Sequence, residues 1–202
     1  MSVPDSEQLI KIAVILETTV SELLGSQTES RNQGKGSREY AAWRARTAFA
    51  EIDAEILAER MMLKWTKRPG IHLLMTLHGG EEALLADTLD SLATQLYPDW
   101  LLTVVTDLPQ PEGLDESANL QWLSLQDAVH INYVIDEVAA ASPGSWLARI
   151  DPGLSLEPQA LQVFADYINS RPMWHLIYCD EDTREADGSL SQPLFKPDFD
   201  LD

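Results

Sequence analysis

From Ile71 onward the apolar residues come in short runs separated by amphipathic stretches, and the two patterns alternate along the chain. "IHLLMTL" (71–77) is a continuous apolar run of strand length, broken by Gly79-Gly80. "EEALLADTLDSLATQL" (81–96) repeats its leucines at helical spacing with acids in the first turn. The spacing then predicts strands over "WLLTVVTD" (100–107) and "LQWLSL" (120–125), and a helix over "QDAVHINYVIDEVAAA" (126–141) that Ser142-Pro143-Gly144 stops. A strand "SWLARID" (145–151), a helix "EPQALQVFADYINS" (157–170) with Pro158 near its first turn, and a strand "WHLIYCD" (174–180) complete the series. Regular alternation of this kind predicts an α/β fold, a mostly parallel sheet with helices on both faces.

The first third of the chain reads differently. In "SEQLIKIAVIL" (6–16) Leu9, Ile10, Ala13, Val14 and Leu16 fall near one helical face, with Ser6 as N-cap, and "TTVSELLG" (18–25) reads as a short helix ended by Gly25. Residues 26–38 are polar and rich in Gly and Ser, the composition of a linker. From Glu39 to Trp65, Tyr40, Trp43, Phe49, Ile52, Ile56 and Leu57 recur every three or four residues, predicting one long or broken amphipathic helix. The expected organisation is therefore an N-terminal α-helical fragment (1–25), a linker (26–38), an amphipathic helical segment (39–68) and an α/β domain (69–202).

Charge changes the picture in one respect. Acids and bases balance through Arg68, so the formal net charge of −19 lies entirely from Pro69 onward. Such a surface repels phosphate backbones and argues against nucleic acid as a partner of that part of the chain. No apolar run approaches the roughly 18 residues of a membrane span, and the N-terminus lacks a secretory profile, so a cytoplasmic location is expected. A single cysteine, Cys179, and four scattered histidines offer neither a disulfide nor a zinc pattern.

Candidate chemistry sits at the predicted strand ends. Open parallel sheets bind ligands beyond the carboxyl ends of their strands. Asp107, Asp151 and the trio Asp180, Glu181 and Asp182 all fall there. Several carboxylates on one rim can accept hydrogen bonds from a base or ribose, or hold Mg2+ or Mn2+ against a diphosphate. Taken singly, each is also an ordinary turn residue.

Two resemblances extend this reading. "SVPDSEQLIKIAVILETTVSELLG" resembles the last two helices of a Cro/C1-type helix-turn-helix domain, without the helix that would enter the major groove. Residues 69–202 resemble the donor-binding half of glycosyltransferase family 2, which has the Rossmann-like GT-A fold. The likeness rests on "RPGIHLLMTLHGGEEALLADTLDSLATQLYPDWLLTVVTD", on "INYVIDEVAAASPGSWLARIDPGLSLEPQAL" and, most specifically, on "LIYCDEDTREADGSLSQPLFKPDFD". "EYAAW" is similar to a Tyr-x-x-Trp helix that often precedes such domains.

The resemblance implies inverting transfer of a sugar from a nucleoside diphosphate to a glycan or lipid-linked acceptor in bacterial polysaccharide or O-antigen synthesis. By position, Asp107 matches an acid that contacts the nucleobase, and Asp151 the first acid of a metal-binding D-x-D turn. Asp180, Glu181 and Asp182 match an acidic loop near donor and acceptor. Mg2+ or Mn2+ is the implied cofactor, with Asp151 as its ligand, but Gly153 stands where the second metal-binding carboxylate belongs, so the D-x-D motif is degenerate. No residue matches the family's catalytic base, and the expectation is a truncated domain, incomplete or weakly active alone. The competing readings are a catalytically inactive interaction module using the 39–65 helix as its contact surface, and a DNA-binding regulator. The latter is disfavoured by the missing recognition helix and the acidic surface.

Overall fold

The computed structural model describes residues 11–14, 33–114, 119–124, 131–142, 144–185 and 187–196. Its strands are β1 (Lys11–Val14), β2 (Ile71–Leu77), β3 (Trp100–Thr106), β4 (Leu120–Ser124), β5 (Trp146–Ile150), β6 (Leu176–Ile177), β7 (Glu181–Arg184) and β8 (Leu190–Leu194). Its helices are α1 (Gln33–Thr47), α2 (Glu51–Lys64), α3 (Glu82–Ala93), α4 (Ile131–Ala141) and α5 (Ala160–Ser170). Six strands form one sheet in the order β4-β3-β2-β5-β1-β6, parallel at every pairing, and β7 with β8 forms an antiparallel hairpin. The α/β class and parallel sheet expected from the alternating pattern are what the chain adopts.

Register explains why β2 reads as a continuous apolar run. Ile71, Leu73, Met75 and Leu77 share one face with Leu102 and Val104 of β3 and with Trp146, Ala148 and Ile150 of β5. Leu85 and Leu92 of α3 and Leu161, Phe164, Ala165 and Ile168 of α5 close over that face. On the other face Leu74, Val105 and Leu147 are also buried, and so is Val134 of α4, the helix that carries the chain from β4 back to β5. A central strand covered on both sides has no polar face to alternate with.

One polar string interrupts the second face. The His72 ring lies 2.8 Å from the Thr103 hydroxyl, which donates to Gln121 at 3.4 Å. Burial of His72 disfavours its charged form and lowers its pKa. The neutral ring is therefore the folded-state form, and its stabilising contribution is present above the unfolded value of about 6.5 and lost as pH falls. Urea titrations at pH 6.5 and 5.5 are expected to show falling stability, approaching at most about 1.4 kcal/mol per pH unit from this group. His72→Gln, which cannot titrate, should flatten that interval.

The first third departs from its reading in two places. Lys11–Val14, expected inside a helix, is instead a strand paired between β5 and β6. "KIAV" carries β-branched residues, and over four residues an apolar run has no period that separates helix from strand. The sheet decides it. The other residues of the helix-turn-helix reading, 1–10 and 15–25, lie outside the described residues. Within the expected linker, helix already begins at Gln33.

The amphipathic segment is broken rather than continuous. Ala50 is extended, with φ −106° and ψ 165°, and its N–H donates to the Asp53 carboxylate at 2.9 Å, which starts α2. α2 is tied to α5: Asp166 accepts from Trp65 Nε1 at 3.0 Å and bridges to Arg60 at 2.6 Å. α1 goes elsewhere. It packs on β8, with Trp43 and Tyr40 stacked at 5.8 Å and the Phe195 ring edge-on to Trp43 at 5.5 Å.

Candidate functional site

All six sheet strands run parallel, so their carboxyl ends define a single rim. Asp107 follows β3, Asp151 follows β5 and Asp180 lies three residues past β6. β2 separates β3 from β5, placing the backbones that carry Asp107 and Asp151 about 10 Å apart at the usual strand spacing. Asp107 is exposed and Asp151 half-buried, and neither carboxylate has a hydrogen-bond or ion-pair partner among the described residues. Between them, one residue before the end of β2, lies Thr76, whose hydroxyl is buried and without a partner among the described residues. Met75 pairs with Ile150, so Thr76 is level with Asp151.

The turn after β5 is specified locally. Leu154 N–H donates to the Asp151 carbonyl at 3.2 Å, and Gly153 has φ +92°, the geometry of a Pro-Gly type II turn. Gly153 N–H points at helix α3, reaching the Leu84 carbonyl at 3.1 Å and the Thr88 hydroxyl at 2.9 Å. The glycine is thus demanded by the backbone. It also removes an oxygen ligand, so the turn offers one carboxylate to a cation that takes six or more oxygens. Among the described residues no group of three or more His, Cys, Asp or Glu side chains is placed to hold a metal ion. The donor set at this turn does not fit Mg2+ or Mn2+.

The acidic trio is placed differently from the loop that the sequence suggests. Glu181 and Asp182 open strand β7, and the hairpin they begin turns at Asp187-Gly188, where Gly188 has φ +81°. Each of the three acids has a partner within the fold. Asp180 accepts from the Lys196 backbone N–H at 2.9 Å, Glu181 bridges to Lys196 Nζ at 3.1 Å, and Asp182 accepts from the Tyr40 hydroxyl at 2.5 Å.

The hairpin and the turn after β5 meet. Arg184 donates to the Ser155 hydroxyl at 2.9 Å, which brings β7 against the segment that begins at Asp151. Arg44 of α1 bridges to Glu157 on the same segment. The structure therefore gathers the trio, the Asp151 turn and α1 at one end of the rim, with Asp107 two strands away. Cys179 lies beside the trio, its thiol pKa pushed up chiefly by burial, with Lys196 opposing and Glu181 and Asp180 adding to the rise. That environment makes it a poor nucleophile.

Sequence reasoning missed Tyr40, Thr76, Arg184 and Lys196 as members of this region. Lys196 and Arg184 had a usable signal, because only four basic residues follow Arg68 in the whole acidic part of the chain. Thr76 had none.

No family model matches the chain. It is 28% identical over 191 residues to the O-antigen biosynthesis protein RfbC of Myxococcus xanthus, a match covering 91% of this chain and 15% of the relative. It is 22% identical over 142 residues to the uncharacterized protein y4gI of Sinorhizobium fredii, covering 66% of this chain and 16% of that protein. The chain thus spans less than a fifth of the length of the curated relatives it matches. Among solved structures, residues 1–349 of S. aureus TarS align with a TM-score of 0.42 and 19% identity, covering 51% of this chain and 33% of that one. The same fragment in complex with UDP gives 0.42 and 17%.

Proposed function

We propose that this chain is a glycosyltransferase-type domain that binds a nucleoside-diphosphate sugar along the carboxyl rim of its sheet, for inverting sugar transfer in bacterial polysaccharide or O-antigen synthesis. The observation that carries the reading is the free pair Asp107 and Asp151 at the ends of β3 and β5, with β2 between them. Two carboxylates without partners among the described residues, carried on backbones about 10 Å apart along one rim, suit a nucleoside, whose base and ribose present several donors. The likeness to a relative named for O-antigen biosynthesis supports the polysaccharide context.

The division of labour follows from what each acid is free to do. Asp107 receives hydrogen bonds from the base or ribose, and Asp151 from the ribose or the sugar hydroxyls. The trio, held by Lys196 and Tyr40, lines the sugar end, where a glycan or lipid-linked acceptor approaches. A diphosphate needs positive charge, and Arg184 and Lys196 are the nearby sources in the acidic part of the chain. Inversion requires that a base take the acceptor proton as its oxygen attacks the anomeric carbon and the nucleoside diphosphate departs from the opposite face.

Calorimetric titration with UDP- and dTDP-hexoses tests the reading. Binding is expected for at least one of them. Asp151→Asn should weaken it about tenfold or more, the scale of losing a hydrogen bond to a charged acceptor. Asp90→Asn, an equal charge change on exposed α3 surface, should leave it unaltered. Failure of every nucleotide sugar to bind would sink the proposal.

A further inference from the structure

We infer that helix α1 is part of this site, and that Tyr40 is a positioning residue that holds the Asp182 carboxylate toward the sugar portion of a bound donor. The inference deepens the nucleotide-sugar reading above and rests on it.

Three observations converge. First, the Tyr40 hydroxyl donates to Asp182 Oδ2 at 2.5 Å across 142 residues of sequence, a half-buried contact between α1 and the start of strand β7. Second, the contact is held from both sides. Tyr40 stacks on Trp43, both rings meet Phe195 at centroid distances of 6.5 and 5.5 Å, and Arg44, one turn on from Tyr40, bridges to Glu157. Helix α1 therefore bonds both segments that form this end of the rim, the hairpin and the stretch after Asp151. Third, the other two acids of the trio are held by Lys196, two residues past β8, whereas the partner of Asp182 comes from a separate helix.

The consequence is chemical. A carboxylate in a strand opening can rotate about its own side-chain bonds, and a phenol fixed in an aromatic stack removes that freedom while leaving lone pairs for a ligand. Burial pushes the Tyr40 phenol up to about 12, and the hydrogen bond to Asp182 acts in the same direction, so Tyr40 remains a donor at any physiological pH. A helix outside the α/β core thereby sets the geometry of an acid inside it.

Tyr40→Phe removes the hydroxyl and keeps the stack. The probes are the tightest binder among UDP- and dTDP-hexoses and the matching free nucleoside diphosphate. The expected result is a fivefold to tenfold (approximate) weakening for the nucleotide sugar, with the free diphosphate unchanged. A purely structural helix would affect both alike. Equal weakening, or no change in either, overturns the inference. A thermal-unfolding cycle of Tyr40→Phe, Asp182→Asn and the double variant reads the contact without ligand. The double variant should melt no lower than the worse single one, and strictly additive losses would overturn the contact. Absence of binding by the unaltered protein would instead remove the nucleotide-sugar reading, and the cycle tells the two failures apart.

Discussion

Trp146→Ala is expected to destabilise the fold by about 3–5 kcal/mol, the range for deleting a fully buried aromatic side chain. Trp146 opens β5 and is 1% exposed. It pairs with Ile71 on one side, and Leu161, Phe164, Ile168 and Ile177 lie around the same space. Removing an indole there leaves a cavity bounded by a sheet on one side and α5 on the other, and neither can close it without breaking register. Trp146→Phe keeps most of the apolar volume and should lose well under half as much. For a chain of 202 residues the alanine variant corresponds to a fall in melting temperature of about 10 °C. A urea-unfolding free energy within about 0.5 kcal/mol of the unaltered protein would show that this residue does not anchor the core.

The same strand illustrates what the sequence could disclose. β2, β3 and β5 were legible because central strands covered on both faces are written as mostly apolar runs, and Leu102, Leu73 and Ala148 lie in direct register as those runs require. The strand-end acids were legible for a related reason. A carboxylate directly after such a run must emerge at the rim, and Asp107 and Asp151 do so. The β7–β8 hairpin was not legible as strand, since "EDTR" and "LSQPL" hold few apolar residues. Its Asp-Gly turn was the available cue. β1 was misread because its identity is set by β5 and β6, which lie more than a hundred residues away. The Tyr40 contact was invisible for the same reason, since the helical period of α1 says which residues share a face and nothing about which segment that face meets. What the chain encodes locally, by period or by turn chemistry, was recoverable. What it encodes by long-range pairing was not.

Gly153→Asp restores the second acid of a D-x-D turn in sequence, and it is expected to cost about 2 kcal/mol of stability and to confer no dependence on Mg2+ or Mn2+. Two physical terms set the cost. The residue has φ +92°, a conformation that a side-chain-bearing residue adopts only with strain. A Cβ built there would stand 3.3 Å from Leu84 Cδ2, so α3 must shift or the side chain must turn away. The Gly153 N–H bonds to Leu84 and Thr88 then weaken, loosening the turn that presents Asp151. Gly153→Ala shares the backbone and Cβ terms without the charge, so a similar loss in both variants would locate the penalty in the backbone. The ligand side follows from the same geometry: a carboxylate added to a distorted turn is not aimed at the Asp151 oxygens, and two misaligned ligands do not assemble an octahedral site. The measurement is thermal unfolding of both variants with and without millimolar Mn2+, alongside nucleotide-sugar titration. A Gly153→Asp protein as stable as its parent, and bound more tightly to nucleotide sugar in Mn2+, would mean that the turn had kept room for the metal-binding acid after all.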